Sequence, residues 1–375
     1  MTTLYLVRHG EAEGNLCRRA QGRYDGPITP LGRRQLDALG ERFRDIPLDA
    51  VWCSGMRRTI DTARAVLRHH PALTLQTDPR LKEICVGEWE NLTWGEIAHR
   101  DADSLRAFNQ ADPLWQVPGS ETFPQVQARI TEAITDIMAH SPGQTVLITC
   151  HGTAIRCFVA GVLGVPIGEV AHGDNTCVAC LHFEDGRFTV DYYNDIRHLA
   201  PGESTIAGQS WWRSPSGTEN TSTYYVPLDP DRERDYYEAA YADAWRAAHG
   251  TLDGFVPGVY RRAAQRHREA CPDAVLKVMH EDEAIGLLDL DTQRDADACW
   301  VCLLWLTAAW RRRRCGCQLM GQAIALARTL GRRYLRLCVA QENAVALAFY
   351  EAFGMHRTDT TLGVSGLLYI MEMEL

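Results

Sequence analysis

Twice along this chain of 375 residues, short apolar runs alternate with amphipathic segments, and one aperiodic stretch separates the two alternations. Apolar runs set between helix-period segments are the pattern of strands covered by helices, which is the α/β fold class. The separator, residues 199–221 (LAPGESTIAGQSWWRSPSGTENT), is rich in Gly, Ser, Thr and Pro and reads as a linker. The expected organisation is a first domain over 1–198, the linker over 199–221 and a second domain over 222–375. Inside the linker, Trp211 and Trp212 are expected to dock on a domain surface, because two adjacent large rings do not favour free solvent.

In the first alternation, residues 3–7, 50–53 and 145–150 read as buried strands, and 31–43, 59–67, 123–138 and 154–163 as helices. CVACLHF and RFTVDYY flank Glu184-Asp185-Gly186 and predict a hairpin. In the second, helices are expected over 232–248, 259–269, 318–330 and 344–353. Strands are expected over 274–279, 284–290, 298–307, 334–339 and 366–373.

Four separated pieces of the first domain carry chemically loaded residues. A strand runs directly into Arg8-His9-Gly10, with Asn15 shortly after. Ser54-Gly-Met-Arg-Arg58-Thr-Ile-Asp-Thr62 stands at the mouth of the second helix. Glu83 lies in Leu81-Lys-Glu83-Ile-Cys-Val-Gly87, and Thr149-Cys150-His151-Gly152 ends the third apolar strand. Ligands of open α/β sheets bind beyond the carboxyl ends of strands, so Arg8-His9 and His151 can converge. Phosphate-ester hydrolysis needs more than ~20 kcal/mol of barrier reduction. Histidine suits a nucleophile that works near neutral pH, guanidinium groups hold a phosphate dianion, and a carboxylic acid protonates the leaving alkoxide. The chain offers a candidate for each role.

Taken in order, these pieces resemble the histidine phosphatase superfamily, the phosphoglycerate mutase-like fold, over about residues 2–198. The resemblance implies a three-layer αβα domain in which His9 becomes phosphohistidine. Arg8, Arg58 and His151 would form the phosphate pocket, Glu83 would be the general acid, and Asn15, Gln21 and Gly22 would line the substrate side. It also implies a small phosphomonoester as substrate and no cofactor. Phosphoglycerate mutase-type transfer is the alternative; the short spacing from Glu83 to Gly87-Glu-Trp-Glu-Asn-Leu-Thr-Trp94 favours hydrolysis. Trp89 and Trp94 fit either the mouth of such a site or the core.

The second domain places a basic turn, AAWRRRRCGCQLM, between a long apolar strand and a helix, and follows it with LRLCVAQENAVALAFYEAFGMHR. A basic turn that opens a helix presents free N–H groups to an anion. Together these segments resemble the GNAT acetyltransferases over roughly 222–375, an α+β fold. That resemblance implies acetyl-coenzyme A as cofactor. Arg311 and Gly316 match the ends of the pyrophosphate turn, while Arg314 stands where a glycine is usual. Leu306 would offer backbone contacts to the acyl-pantetheine arm, Asn343 would lie near that arm, and Tyr350 would protonate the thiolate. An amine of pKa ~10.4 must lose a proton first, a handicap of about 4–5 kcal/mol at neutral pH. The sequence names no base for this; Asp289 and Asp291 read as solvated. The expectation is a bifunctional enzyme, with a non-catalytic acyl-coenzyme A-binding module as the alternative for the second domain.

A formal charge of −9 gives no global attraction for nucleic acid or anionic lipid, and no run is long enough to span a membrane. Thirteen scattered cysteines, and an N-terminus that enters a strand at once, point to the cytoplasm. Cys177-x-x-Cys180 and Cys299-x-x-Cys302 fall in expected strands, where that spacing sends side chains to opposite faces, so no metal site is expected from them. Oligomeric state and the identity of the amine acceptor stay open at this stage.

Overall fold

The computed structural model of the chain describes residues 1–209, 221–364 and 366–375; Trp211, Trp212 and the rest of 210–220 lie outside them. Contacts divide the chain into two units. One joins Met1–Leu92 to the described residues of Arg100–Asn220, and the other joins Thr93–His99 to Thr221–Leu375.

The first unit is built on a six-stranded sheet of order β3-β2-β4-β1-β5-β6. Its strands are β1 (Thr2–Arg8), β2 (Ala50–Cys53), β3 (Leu75–Thr77), β4 (Thr145–Cys150), β5 (Val178–Glu184) and β6 (Arg187–Asp195). β3, β2, β4 and β1 are parallel; β5 and β6 return antiparallel. The two central strands are nearly continuous apolar runs because helices cover them, and Leu4, Leu6, Val146, Leu147 and Ile148 are fully buried. Helices α1 (Glu13–Leu16), α2 (Pro30–Phe43), α3 (Arg57–Leu67), α5 (Ala102–Asn109), α6 (Phe123–Ala139) and α7 (Gly152–Leu163) belong to this unit. Here α2 packs on α3 and α6 on α7. Thr29 starts α2 by accepting the Gly32 N–H with Pro30 in the first turn, and Thr122 and Gln125 start α6 with a reciprocal cap. The beginning of the linker stretch is bound within this unit. Gln35 Nε2 donates to Glu203 O at 2.7 Å and to Thr205 Oγ1 at 3.0 Å, and the Ile206 N–H reaches Asp174 at 3.2 Å.

The second unit carries a seven-stranded sheet of order β12-β13-β11-β10-β9-β8-β7. Its strands are β7 (Tyr224–Pro227), β8 (Val275–His280), β9 (Glu283–Asp291), β10 (Ala298–Leu306), β11 (Tyr334–Ala340), β12 (His356–Gly363) and β13 (Gly366–Glu374). All neighbours are antiparallel except β10 and β11. That parallel pair holds only from Ala298↔Tyr334 to Val301↔Leu337; beyond it β10 stays with β9 and β11 with β13. The sheet therefore opens between two central strands. Helices α8 (Arg234–His249), α9 (Pro257–Ala270), α10 (Cys315–Thr329) and α11 (Ala344–Ala352) complete the unit, with most of α4 (Trp94–Arg100). The Thr93 hydroxyl donates to Thr223 O at 2.8 Å, and the His99 ring stacks on Tyr224 with centroids 3.9 Å apart. β12 escaped the sequence pattern because HRTDTTLG is polar and mostly exposed, as suits an edge strand.

Candidate active site

Strand register brings the two histidines together. Arg8 pairs with Cys150 across the parallel β1–β4 ladder, so the following residues, His9 and His151, leave neighbouring strands at one level. The His9 N–H donates to Cys150 O at 3.0 Å, and the two rings meet edge to face with centroids 5.3 Å apart. Both are buried. His9 Nδ1 lies 2.8 Å from the Gly10 carbonyl. A carbonyl oxygen only accepts, so Nδ1 carries the hydrogen and the lone pair sits on Nε2.

Arg58, at the start of α3, is fully buried. Its guanidinium donates to the carbonyls of Tyr24 (2.8 Å), Gly22 (3.1 Å) and Gln21 (3.3 Å) and pairs with Asp25 at 3.1 Å. Gly22 must be glycine, since a Cβ there would lie 2.1 Å from Ile84 O. The 21–24 loop is in turn held by Glu90, whose carboxylate accepts the N–H groups of Gly22, Arg23, Tyr24 and Val86. Thr62 Oγ1 accepts the Gly10 N–H at 3.1 Å and donates to Arg58 O at 2.7 Å, tying the first sequence piece to the second.

Glu83 lies at the N-terminus of α7. Its oxygens accept the N–H groups of Ile84 (2.9 Å), Thr153 (3.0 Å) and Ala154 (3.0 Å). Arg129 fixes the backbone beneath it by donating to the carbonyls of Arg80, Lys82 and Glu83. Arg8 donates to Gly173 O at 2.5 Å and lies against Gly152, where an added Cβ would stand 3.2 Å from Arg8 Nε. Asn15 is less free than its sequence role implies: its amide oxygen accepts the Ala12 N–H at 3.0 Å and meets Asn175 Nδ2 at 3.4 Å.

Burial, and then the charges of Arg58 and Arg8, hold His9 well below its usual range; burial, Arg58 and His9 do the same to His151. Both rings are neutral at pH 7. Three buried nitrogens here, Arg8 Nε, Arg58 Nε and His151 Nδ1, have no hydrogen-bond partner. Leaving a buried donor unpaired costs about 1–3 kcal/mol, so the two guanidinium N–H groups suit an acceptor from outside the chain, as does His151 Nδ1 in the tautomer that carries the ring's hydrogen there. Sequence reading named His9, Arg8, Arg58, Glu83 and His151, and the fold gathers them. It missed Glu90, Arg129, Asn175 and the role of Ser54, which lies 2.8 Å from His151 Nε2 and 2.9 Å from Thr59 Oγ1. Asn175 Nδ2 donates to His9 O at 2.9 Å, a contact across 166 residues that no local pattern signals. Trp89 is core, packed on Phe108 and Trp115.

In the second unit, Arg314 takes the left-handed conformation (φ 60°) at the start of α10, in place of the usual glycine. A side chain there costs about 1–2 kcal/mol, so the turn keeps its shape at the expense of strain. Gly316 faces the Phe349 ring of α11, 3.3 Å from where its Cβ would be, which sets the head of α10 beside the helix bearing Tyr350. Desolvation pushes the Tyr350 phenol up to about 12. Two expected contacts are already engaged within the chain. Arg311 Nε donates to Leu306 O at 2.9 Å while its guanidinium pairs with Asp243, and Asn343 caps α11 by accepting the Ala346 N–H at 3.1 Å. Thr307 Oγ1, at the opening between β10 and β11, is buried without a partner. Asp289, read as solvated, is 1% exposed, and accepts from the Tyr237 hydroxyl and from His267. Burial pushes the Cys177 thiol up to about 12 and Cys180 up to about 11.

Residues 4–196 match the histidine phosphatase superfamily (branch 1), and residues 230–355 match the GNAT acetyltransferase family. A "Probable phosphoglycerate mutase GpmB" from an Enterobacter species is 30% identical over 166 residues, 44% of this chain and 77% of that one. A metal-independent phosphoserine phosphatase from Arabidopsis thaliana is 28% identical over 204 residues, 53% of this chain and 84% of that one. Among solved structures, YhfR from Bacillus stearothermophilus is similar at 34% identity and a TM-score of 0.52, covering 53% of this chain and 100% of that one.

Proposed function

The chain belongs to the histidine phosphatase superfamily, and from that membership we propose that its first unit hydrolyses a small phosphomonoester through a phosphohistidine on His9. The observation that carries this reading is the trio of orphaned buried nitrogens beside a neutral His9. A phosphate dianion would satisfy the two guanidinium N–H groups, and His151 Nδ1 in the tautomer that carries its hydrogen. His9 Nε2 attacks phosphorus, the bond to the leaving alkoxide breaks, and Arg8, Arg58 and His151 hold the equatorial oxygens as charge develops. Glu83 delivers the alkoxide's proton as general acid. Water then attacks the phosphorus, gives its proton to Glu83 and releases inorganic phosphate. No cofactor enters these steps.

Phosphoserine is the first substrate to test, because the Arabidopsis relative bears that activity in its name. A second reading, phosphoryl transfer between hydroxyls of a phosphoglycerate, is favoured by the name of the Enterobacter relative. A phosphometabolite panel with His9→Ala as control separates the two. Free phosphate lost in the variant supports hydrolysis, an isomerised phosphoglycerate supports transfer, and undiminished release by the variant refutes both.

For the second unit the reading is acetyl transfer to an amine. The opening between β10 and β11, with the unpartnered Thr307 hydroxyl at its edge, suits the pantetheine arm, and the left-handed Arg314 presents the head of α10 to a pyrophosphate. Acetyl-coenzyme A would supply the activated acyl group. Tyr350, kept protonated by desolvation, gives its proton to the departing thiolate. Calorimetry with acetyl-coenzyme A and an amine screen on wild type and Tyr350→Phe test this. Turnover that falls about 100-fold in the variant at unchanged affinity supports transfer; binding without turnover in the wild type supports a sensing module. Thirteen free thiols favour a reducing, cytoplasmic setting.

A further inference from the structure

Asp289 and Asp291, neighbours on β9, converge with His267 of α9 and Cys302 of β10 inside the second unit. His267 Nδ1 stands 2.7 Å from Asp289 Oδ1, so that nitrogen carries the hydrogen when the ring is neutral. Asp289 is locked in turn by the Tyr237 hydroxyl at 2.8 Å, and Tyr237 is itself fully buried. The other ring nitrogen faces a second carboxylate: His267 Nε2 lies 3.4 Å from Asp291 Oδ2. A charge-assisted hydrogen bond would close to about 2.7–2.9 Å. Two ligands each about 2.0–2.1 Å from a tetrahedral zinc ion stand about 3.3–3.4 Å apart. Cys302 Sγ completes the group, with the three donor atoms all within 4.8 Å of one another.

We propose that His267 Nε2, Asp291 Oδ2 and Cys302 Sγ form a divalent-metal site, with Asp289 as the carboxylate behind the histidine. A nitrogen, oxygen and sulfur donor set selects a borderline-soft ion, zinc first. The carboxylate on the far nitrogen is the support that metal-bound imidazoles commonly have, fixing the tautomer and the ring orientation. Cys302 follows Val301, the last residue of β10 to pair with β11, and a register shift in the β9–β10 ladder falls at this point. The thiol is thus placed by a local irregularity of the strand, which is how an i, i+3 cysteine pair can lend one member to a site that its spacing does not announce. Three protein ligands leave one position for water or a substrate heteroatom.

The test uses the full-length chain, stripped with a chelator and titrated with Co²⁺ alone, then with Zn²⁺ in competition. The expected result is one equivalent of Co²⁺ with a thiolate-to-cobalt charge-transfer band, displaced by Zn²⁺, abolished in Cys302→Ser and retained in Cys85→Ser. Asp289→Asn should keep the band and weaken affinity about 10–100-fold, as loss of such a supporting carboxylate does. Circular dichroism of each variant verifies the fold. Absence of the band in the wild type, as expected if a proton alone joins His267 to Asp291, overturns the site; so does a band that survives in Cys302→Ser.

Discussion

At His9 a count of hydrogens sets the chemistry. The Gly10 carbonyl takes the Nδ1 hydrogen, and burial among guanidinium groups keeps a second proton off the ring, so Nε2 holds the lone pair that the proposed attack needs. His9→Ala should lower kcat at least about 10⁴-fold, the scale seen when a nucleophile is removed, with unfolding midpoints close to wild type. Behind the second histidine, Ser54→Ala removes the partner of His151 Nε2 and leaves a buried nitrogen unpaired. That costs about 1–3 kcal/mol, so kcat should fall about 10–100-fold with KM little changed; steady-state kinetics showing a change in KM alone would contradict this role. His9, His151, Arg8 and Arg58 were legible in the sequence because each adjoins a strand end or a helix start. Asn175 and Arg129 were not: their partners lie far along the chain, and a lone asparagine or arginine carries no local signature.

Among the elements, the loop over Gln21–Tyr24 depends on one carboxylate. Glu90→Gln exchanges a charged acceptor of four N–H groups for an amide with one oxygen, and the loop supplies three carbonyls to Arg58. At about 1.5–3 kcal/mol for hydrogen bonds to a charged group, kcat/KM should drop about 10–100-fold; an unchanged value would show that Arg58 is held without the loop. In the second unit the Arg314 turn tells a similar story in reverse. Arg314→Gly relieves the left-handed strain and should hold or tighten acetyl-coenzyme A affinity by calorimetry, whereas loss of affinity would mean that the guanidinium matters more than the backbone. The apolar central strands and the long helices were readable by their periods. Short or polar pieces were not: β3, β12 and the helices Trp94–Arg100 and Ala102–Asn109 carry too little apolar pattern to announce themselves, and are fixed by tertiary contacts instead.

Across the whole molecule, the first unit keeps several histidines neutral at pH 7. His9 and His151 are buried and held well below 6.5, and the half-buried His198 is lowered to about 4, in each case by desolvation first. In the unfolded chain each takes a proton near pH 6.5. Below that pH the unfolded state binds protons that the folded state refuses, so stability falls as pH falls from about 6.5 toward the folded values. Urea midpoints should be lower at pH 5 than at pH 7.5, and His198→Asn should flatten that slope; an unaltered slope would mean that this ring is not a cause. The division into two α/β patterns was plain from the sequence. That Thr93–His99, a short stretch inside the first pattern, gathers with Thr221–Leu375 was not, since it rests on contacts such as Thr93 to Thr223 rather than on composition. The proposed hydrolysis rests on one imidazole nitrogen, His9 Nε2, accepting a phosphoryl group. Rapid-quench trapping with phosphoserine at alkaline pH, followed by phosphorus NMR and peptide mapping, tests it most directly. The expected result is a phosphoryl group on Nε2 of His9, absent from His9→Ala; phosphate on Nδ1, on another residue, or on none while turnover continues would contradict it.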